Sequence, residues 1–301
     1  MTSTAIQSGT PTVAALLSAG ARQLEKTLAA RNPDATPALD AELLLAHALG
    51  AGRTRLRSHP EEVPPADAAA RFLSLIERRA AGESVAYILG RKGFWTLELS
   101  VSPAVLVPRP ETELLVERAL ALQPRGEAIR GETRVADLGT GSGAIALALA
   151  SARPEWRIVA TDISAEALAV ARGNAAALGL ARVELIQGDW LACLPGRRFH
   201  LLVSNPPYVA AGDPALSQPE LAREPRLALV AAEEGLAALR GIIRAAPDHL
   251  EPGGWLLLEH GATQAAAVAG ALVGHGFAQV RSHRDLAGRE RMTEGQWPTH
   301  P

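Results

Sequence analysis

From residue 133 onward the chain alternates short apolar runs with longer helical ones, and few folds accommodate that order. Arg134–Leu138 reads as a strand, and Asp137-Leu138-Gly139-Thr140-Gly141-Ser142-Gly143 turns it into a helix running to about Ala152. Arg157–Thr161 reads as the next strand and ends in Asp162; a helix over Ala165–Leu178 follows, closed by Gly179. Val183–Gln187 ends in Gly188-Asp189-Trp190, and Phe199–Ser204 runs into Asn205-Pro206-Pro207-Tyr208. A helix near 234–250, a Pro252-Gly253-Gly254 turn, a strand over Trp255–Glu259, a helix near 263–274 and strands near 277–283 and 289–294 complete the series. Repeated units of this kind imply an α/β fold, with a parallel sheet covered by helices on both faces and right-handed crossovers.

The first part of the chain has a different pattern. Residues 1–12 are small and polar; they read as a loose tail without the charged start and apolar core of a signal peptide. Apolar residues then recur at helical spacing over 13–30 (Val13, Leu16, Leu17, Leu24, Leu28), and Asn32-Pro33 closes that helix. A second helix starts at Thr36-Pro37 and stops at Gly50; a third follows Pro64-Pro65 and carries Phe72, Leu73, Leu75 and Ile76. Residues 13–84 thus form a small helical domain. His47 and Asp40 lie within it, where a lone histidine on a packed helix is ordinarily structural. Residues 85–107 are rich in β-formers (Tyr87, Ile88, Phe94, Trp95, Leu97, Leu99, Val101, Val105, Val107) and predict a linking β-hairpin, which leaves 108–301 as the α/β domain.

The chain has 301 residues, room for one large or two ordinary domains, and at 48% hydrophobic it can bury a core. The single Cys193 excludes an internal disulfide framework and a zinc cluster of several thiolates, and it fits a reducing, cytoplasmic setting. No apolar run reaches membrane-spanning length. With net charge −2 and 4% aromatics, the chain advertises no nucleic-acid surface.

Chemistry-bearing residues collect at the strand ends. Gly139, Gly141 and Gly143 form a glycine loop ahead of a helix N-terminus, a nucleotide-binding arrangement, though tighter at its end than the dinucleotide spacing. Asp137 lies just inside that loop. A carboxylate repels a pyrophosphate, but it suits the cationic amino-acid end of S-adenosylmethionine. Asp162 stands 23 residues after Gly139, close to where a ribose-binding acid is expected. Asp189 and Trp190 end the third strand, where an adenine amine has an acceptor and an adenine face has an indole to pack on. Together with Thr140 and Ser142 these residues are the candidate cofactor site. The fourth strand delivers Asn205-Pro206-Pro207-Tyr208, stiffened by its prolines. Asn205 Oδ1 and the Pro206 carbonyl can accept both N–H bonds of a planar nitrogen, and the Tyr208 ring can stack on the flat group that carries it. A Pro-Pro turn with a self-capping Asn is the purely structural alternative. In Pro108-Arg109-Pro110-Glu111-Thr112-Glu113, a helix start preceded by an arginine is equally an anion site, with Glu111 or Glu113 pairing with Arg109, or an ordinary charged first turn.

Asp-Leu-Gly-Thr-Gly-Ser-Gly with Asn-Pro-Pro-Tyr resembles a class I S-adenosylmethionine-dependent methyltransferase acting on a planar nitrogen. More narrowly the chain resembles the peptide chain release factor glutamine methyltransferases, the PrmC/HemK family. The residues that carry this are Pro108–Glu113, Asn205–Tyr208, Glu224-Pro225 with Ala228-Leu229, Gly235-Leu236, and Asp285-Leu286-Ala287-Gly288-Arg289. The resemblance spans about residues 13–294. It implies a Rossmann-like seven-stranded sheet with a small N-terminal helical domain and a linking hairpin. It also implies methylation of the side-chain amide of the Gln in the Gly-Gly-Gln tripeptide of release factors. By carry-over, Gly139–Gly143 and Asp162 hold the donor, Trp190 packs on its adenine, and Asn205, Pro206, Pro207 and Tyr208 grip the glutamine; no metal is required. The chain departs from the family where Glu259-His260-Gly261 replaces Glu-Ile-Gly, and where Ala232-Glu233-Glu234-Gly235-Leu236 replaces Gly-x-Asp-Gly-Leu. An adenine-amine methyltransferase, a ribosomal-protein glutamine methyltransferase and a non-catalytic binder are the other readings.

Overall fold

The structure is a computed structural model and describes residues 11–28, 35–122 and 133–299. The expected tail, apart from Pro11 and Thr12, and the Asn32-Pro33 stop lie outside the described residues. The chain divides into two compact units, one of Met1–Gly90 with Ser217–Arg223, the other of Arg91–Leu216 with Glu224–Pro301.

The first unit is helical: α1 (Val13–Leu28), α2 (Pro37–Leu49), α3 (Arg53–Ser58), α4 (Ala66–Ala80) and α5 (Val85–Leu89). Apolar faces at helical spacing bury Leu16, Leu24, Leu44, Leu45, Phe72 and Ile76 together. Pro37 occupies the first turn of α2, and Gly50, left-handed at φ 60°, ends it with its N–H on the Ala46 and His47 carbonyls. Arg79 is 4% exposed and is neutralised by Asp40 at 2.7 Å and by Glu220, from the Ser217–Arg223 stretch, at 2.5 Å. His47 points to solvent.

Residues 85–89 correct the expected hairpin. Tyr87 and Ile88 are β-formers, yet the segment is a helix because Ser84 accepts from the Tyr87 N–H at its start and Gly90 closes it at φ 69°. Local caps here outweigh a weak propensity. The hairpin itself is shorter, β1 (Arg91–Phe94) against β2 (Leu97–Ser100), and Val101, Val105 and Val107 are buried without forming a strand.

In the second unit α6 (Glu113–Ala121) precedes the predicted alternation: β3 (Arg134–Leu138), α7 (Ala144–Ala152), β4 (Arg157–Asp162), α8 (Ala165–Ala177), β5 (Glu184–Gln187) and β6 (Phe199–Ser204). A two-residue pair follows, β7 (Val209–Ala210) with β8 (Val230–Ala231), the short α9 (Arg226–Leu229) lying between them in sequence. Then come α10 (Ala237–His249), β9 (Leu250–Glu259), α11 (Ala265–Gly274), β10 (Ala278–Arg284) and β11 (Glu290–Gln296). Seven strands form one sheet in the order β10-β11-β9-β6-β3-β4-β5. Only β11 runs against its neighbours.

The central strands β3 and β6 are apolar on both faces, as strands covered by helices on both sides must be. Pro252-Gly253-Gly254 is not a turn ahead of a strand; β9 runs through it as a bulge, so that Phe199 pairs with Leu250 but Leu201 pairs with Trp255. Because β3 to β6 are parallel, their C-terminal ends share one edge of the sheet, and all the candidate loops leave from that edge.

Candidate active site

Gly139, Gly141 and Gly143 take φ of 73°, 57° and 86°, left-handed values that turn β3 directly into α7. The loop is pinned to its neighbour strand, since Gly139 N–H and Thr140 N–H both donate to the Thr161 carbonyl at 2.9 Å. Asp162 accepts from Gly141 N–H at 2.8 Å on Oδ2 and from Ser164 N–H at 2.9 Å on Oδ1. One carboxylate therefore ties the glycine loop to the start of α8. Trp190, itself left-handed at φ 46°, lays its ring on Gly139, and a Cβ there would stand 2.7 Å from Trp190 Cζ3.

Asp137 lies wholly buried beneath this loop. Its Oδ2 accepts from the Thr140 hydroxyl at 2.6 Å and the Ala146 N–H at 3.1 Å, while Oδ1 has no partner among the described residues. Burial pushes its pKa up to about 7 against the pull of those two donors.

A cavity of about 690 Å³ opens over the sheet edge. Gly139, Thr140, Gly141, Ser142, Asp162, Asp189 and Trp190 line one part of it, and Asn205, Pro207 and Arg109 another. Asp137, Gly143, Pro206, Tyr208 and Glu111 are not among the lining residues. Pro206 is buried, and the Tyr208 hydroxyl points away, donating to Glu259 Oε1 at 3.2 Å.

Asn205 is held from behind. Its Nδ2 donates to Thr112 Oγ1 at 3.1 Å, while neither its Oδ1 nor the Pro206 carbonyl accepts a hydrogen bond from the described residues. Glu259 is 2% exposed; its Oε1 accepts from the Tyr208 hydroxyl, its Oε2 has no hydrogen-bond partner among the described residues, and burial raises its pKa to about 7. The loop after Tyr208 is fixed by Gln264, whose Nε2 donates to the Tyr208 carbonyl at 3.0 Å, and by Gly235, where any Cβ would lie 2.1 Å from that carbonyl oxygen.

Arg109 corrects the expected pairing. Its partner is neither Glu111 nor Glu113 but Glu224, at 2.5 Å, with the Glu224 side chain fully buried and its second oxygen accepting from Val107 N–H. Glu113 instead caps the hairpin turn by accepting from Trp95 N–H at 2.8 Å. Sequence reasoning also missed Thr112 and Glu259 as site residues. Thr112 sat inside the quoted Pro108–Glu113 motif and Glu259 at a strand end, positions where side chains converge in such sheets.

A family described as "PrmC N-terminal domain" matches residues 21–90, and one described as "Methyltransferase small domain" matches residues 112–221. A release factor glutamine methyltransferase of Xylella fastidiosa is 48% identical over 96% of this chain and 99% of its own. One of Pseudomonas aeruginosa is 52% identical over 88% of this chain and 95% of its own. Among solved structures, a methyltransferase from Pyrococcus furiosus aligns with TM-score 0.52 at 20% identity, covering 74% of this chain and 98% of that one. The hMettl16 catalytic domain with an RNA hairpin aligns at TM-score 0.54 and 17% identity, covering 78% and 82%. These two likenesses show a methyltransferase-type fold.

Proposed function

The chain belongs to the release factor glutamine methyltransferases, and from that premise we propose that its cavity binds S-adenosylmethionine and the glutamine of a release factor Gly-Gly-Gln tripeptide side by side. The observation that supports this most is Asn205: its NH₂ is bound to Thr112, so its oxygen is the group left to meet a substrate, in the same cavity as the glycine loop. The described residues suit the donor. Gly139 leaves a cradle that a Cβ would fill, Trp190 offers an indole face, and Asp162 and Asp189 line the cavity with carboxylates for hydroxyl or amine hydrogens. Buried Asp137, with one unpartnered oxygen beneath the loop, supplies negative potential for a cationic group.

When bound, S-adenosylmethionine supplies an electrophilic sulfonium methyl and leaves as the thioether. The protein's own part is orientation. Asn205 Oδ1 and the Pro206 carbonyl accept the two N–H bonds of the substrate amide and hold its nitrogen still. They stabilise the positive charge that develops there as its lone pair leaves conjugation. Holding the reactants in place is worth roughly 7–11 kcal/mol of a barrier. The surplus amide proton leaves to water. Pro207 lines the cavity against the flat amide, and Arg109, fixed by Glu224, offers its remaining N–H groups to substrate carbonyls. Tyr208 serves from behind, through its hydroxyl on Glu259. The reaction belongs to the cytoplasm, where release factors work.

Mass spectrometry of release factor incubated with the protein and S-adenosylmethionine should find one added methyl on the Gly-Gly-Gln peptide. With Asn205→Ala that methyl should be absent although calorimetry still detects donor binding. Normal turnover by Asn205→Ala would overturn the assigned role.

A further inference from the structure

The far end of the Asn205–Tyr208 segment carries an inference that rests on that reading of the site and goes beyond it. We propose that Gln264 is a positioning residue for methyl transfer: by holding the Tyr208 carbonyl it sets where the two acceptors for the substrate amide, Asn205 Oδ1 and the Pro206 carbonyl, stand.

The segment is a strut fixed at its ends. Pro206 and Pro207 have no N–H to anchor them, and their rings lock φ. At the near end Ser204 Oγ donates to the Leu138 carbonyl at 2.6 Å and ties the last residue of β6 to β3. At the far end Gln264 Nε2 donates to the Tyr208 carbonyl at 3.0 Å. The Tyr208 hydroxyl on Glu259 fixes the ring; Gln264 fixes the backbone that carries the acceptors. A stiff segment passes on a displacement instead of absorbing it, so a shift of the Tyr208 carbonyl reaches the Pro206 carbonyl two residues away.

Every polar atom of the Gln264 side chain is engaged. Its Nε2 also donates to the Glu234 carbonyl at 3.2 Å, and its Oε1 accepts from Gly261 N–H at 2.8 Å. One amide thus joins the loop after β6, the turn before α10 and the loop after β9. Its orientation follows from its partners: turned over, it would set its oxygen against two carbonyls and its NH₂ against an N–H. There is little slack around it, since a Cβ on Gly235 would lie 2.8 Å from Nε2 and one on Gly261 3.1 Å from Oε1. Gln264 also stands at the start of α11 without capping it, where Ser, Thr, Asp or Asn ordinarily bonds the first turn. The side chain serves the neighbouring loops and not its own helix.

The test uses the full chain with release factor as substrate. Gln264→Met keeps the length of the side chain and removes all three hydrogen bonds. Its kcat should fall about 100-fold, the loss expected of a misplacement near 1 Å. Calorimetry should find S-adenosylmethionine bound as tightly as before, because Gln264 is not among the residues lining the cavity. Gln264→Glu keeps the acceptor for Gly261 but turns a carboxylate oxygen on two carbonyls, and its kcat should be lower still. A purely packing role would leave kcat intact in both variants and show only in the melting temperature. Independently of activity, the Asn205 side-chain NH₂ signals in the ¹H–¹⁵N spectrum, assigned by their loss in Asn205→Ala, should move in Gln264→Met. The Trp190 indole signal, assigned by its loss in Trp190→Phe, should stay in place. Wild-type kcat in Gln264→Met, or Asn205 signals indifferent to it, would overturn the proposal. If those signals move while even the wild-type protein leaves release factor unmethylated, the positioning stands and the substrate reading fails.

Discussion

Gly139 carries two constraints at once, a φ of 73° and the Trp190 ring where a Cβ would go. Gly139→Ala should therefore cost about 1–3 kcal/mol of stability, the range for a non-glycine residue forced into the left-handed region. It should also push Trp190 off its seat and weaken donor binding, both measurable by calorimetry. This residue was legible in the sequence because its signal is local: glycines between an apolar run and a helix need little else to be read. So were Asp162 and Asn205, each ending a strand. The partner of Arg109 was not. Glu111 and Glu113 are its neighbours in sequence, but Glu224, 115 residues along, is its partner in space. Nor was the inward turn of the Tyr208 hydroxyl, which depends on a carboxylate from another strand. An aromatic residue in a loop announces that it will pack, not on which side.

Among elements, the turn before α10 departs most from ordinary backbone. Glu233, Glu234 and Gly235 stand at φ 53°, 57° and 88°, and the first two are not glycine. A left-handed residue with a Cβ costs about 1–2 kcal/mol, so Glu234→Gly should raise the melting temperature, by up to about 1 kcal/mol of stability after glycine's own entropy is set against it. Gly235→Ala should do the reverse, because its Cβ has no room beside the Tyr208 carbonyl. The loop carrying Asn205 would shift, and turnover should fall far more than donor affinity. The family's Asp at the Glu234 position fits this geometry, since a short polar side chain tolerates the left-handed region better than glutamate does. Elements followed their periodicity where it was strong, as along the sheet, and misled where it was short: Val85–Leu89 has β-formers, but its serine cap and glycine stop make it helix.

For the molecule as a whole, buried acids set the response to pH. Asp137 and Glu259 both rise to about 7, from ordinary values of 3.8 and 4.5. Between those limits the folded chain holds protons that the unfolded chain has lost, so stability falls as pH rises from about 4 through 7. His260 works in the opposite sense, because its folded pKa lies below 6.5; the unfolded chain takes up its proton first, and stability falls as pH drops below that value. Glu42, held down to about 2 by Arg57 and Arg53, loses its contribution as pH falls below about 4.5, so thermal melts should show a maximum on the acidic side, and Asp137→Asn should flatten the decline towards alkaline pH. The chain's outline, helices first and then a doubly covered sheet, was readable from patterning alone. The Ser217–Arg223 stretch was not, because nothing in its composition says which unit it joins.

That stretch makes neither unit a continuous piece of gene. Arg79 bonds Glu220, Arg223 donates to the Ala81 carbonyl, and Pro219 sits where a side chain on Gly82 would go. A chain begun at codon 91 would fold its sheet with those seven residues stripped of their companions. The same feature recommends the protein for splitting: expressed as two polypeptides, 1–90 and 91–301 carry matching halves of one small interface, and the shorter fragment should copurify with the longer through Ser217–Arg223 and part from it when Glu220 and Arg223 are both changed to alanine.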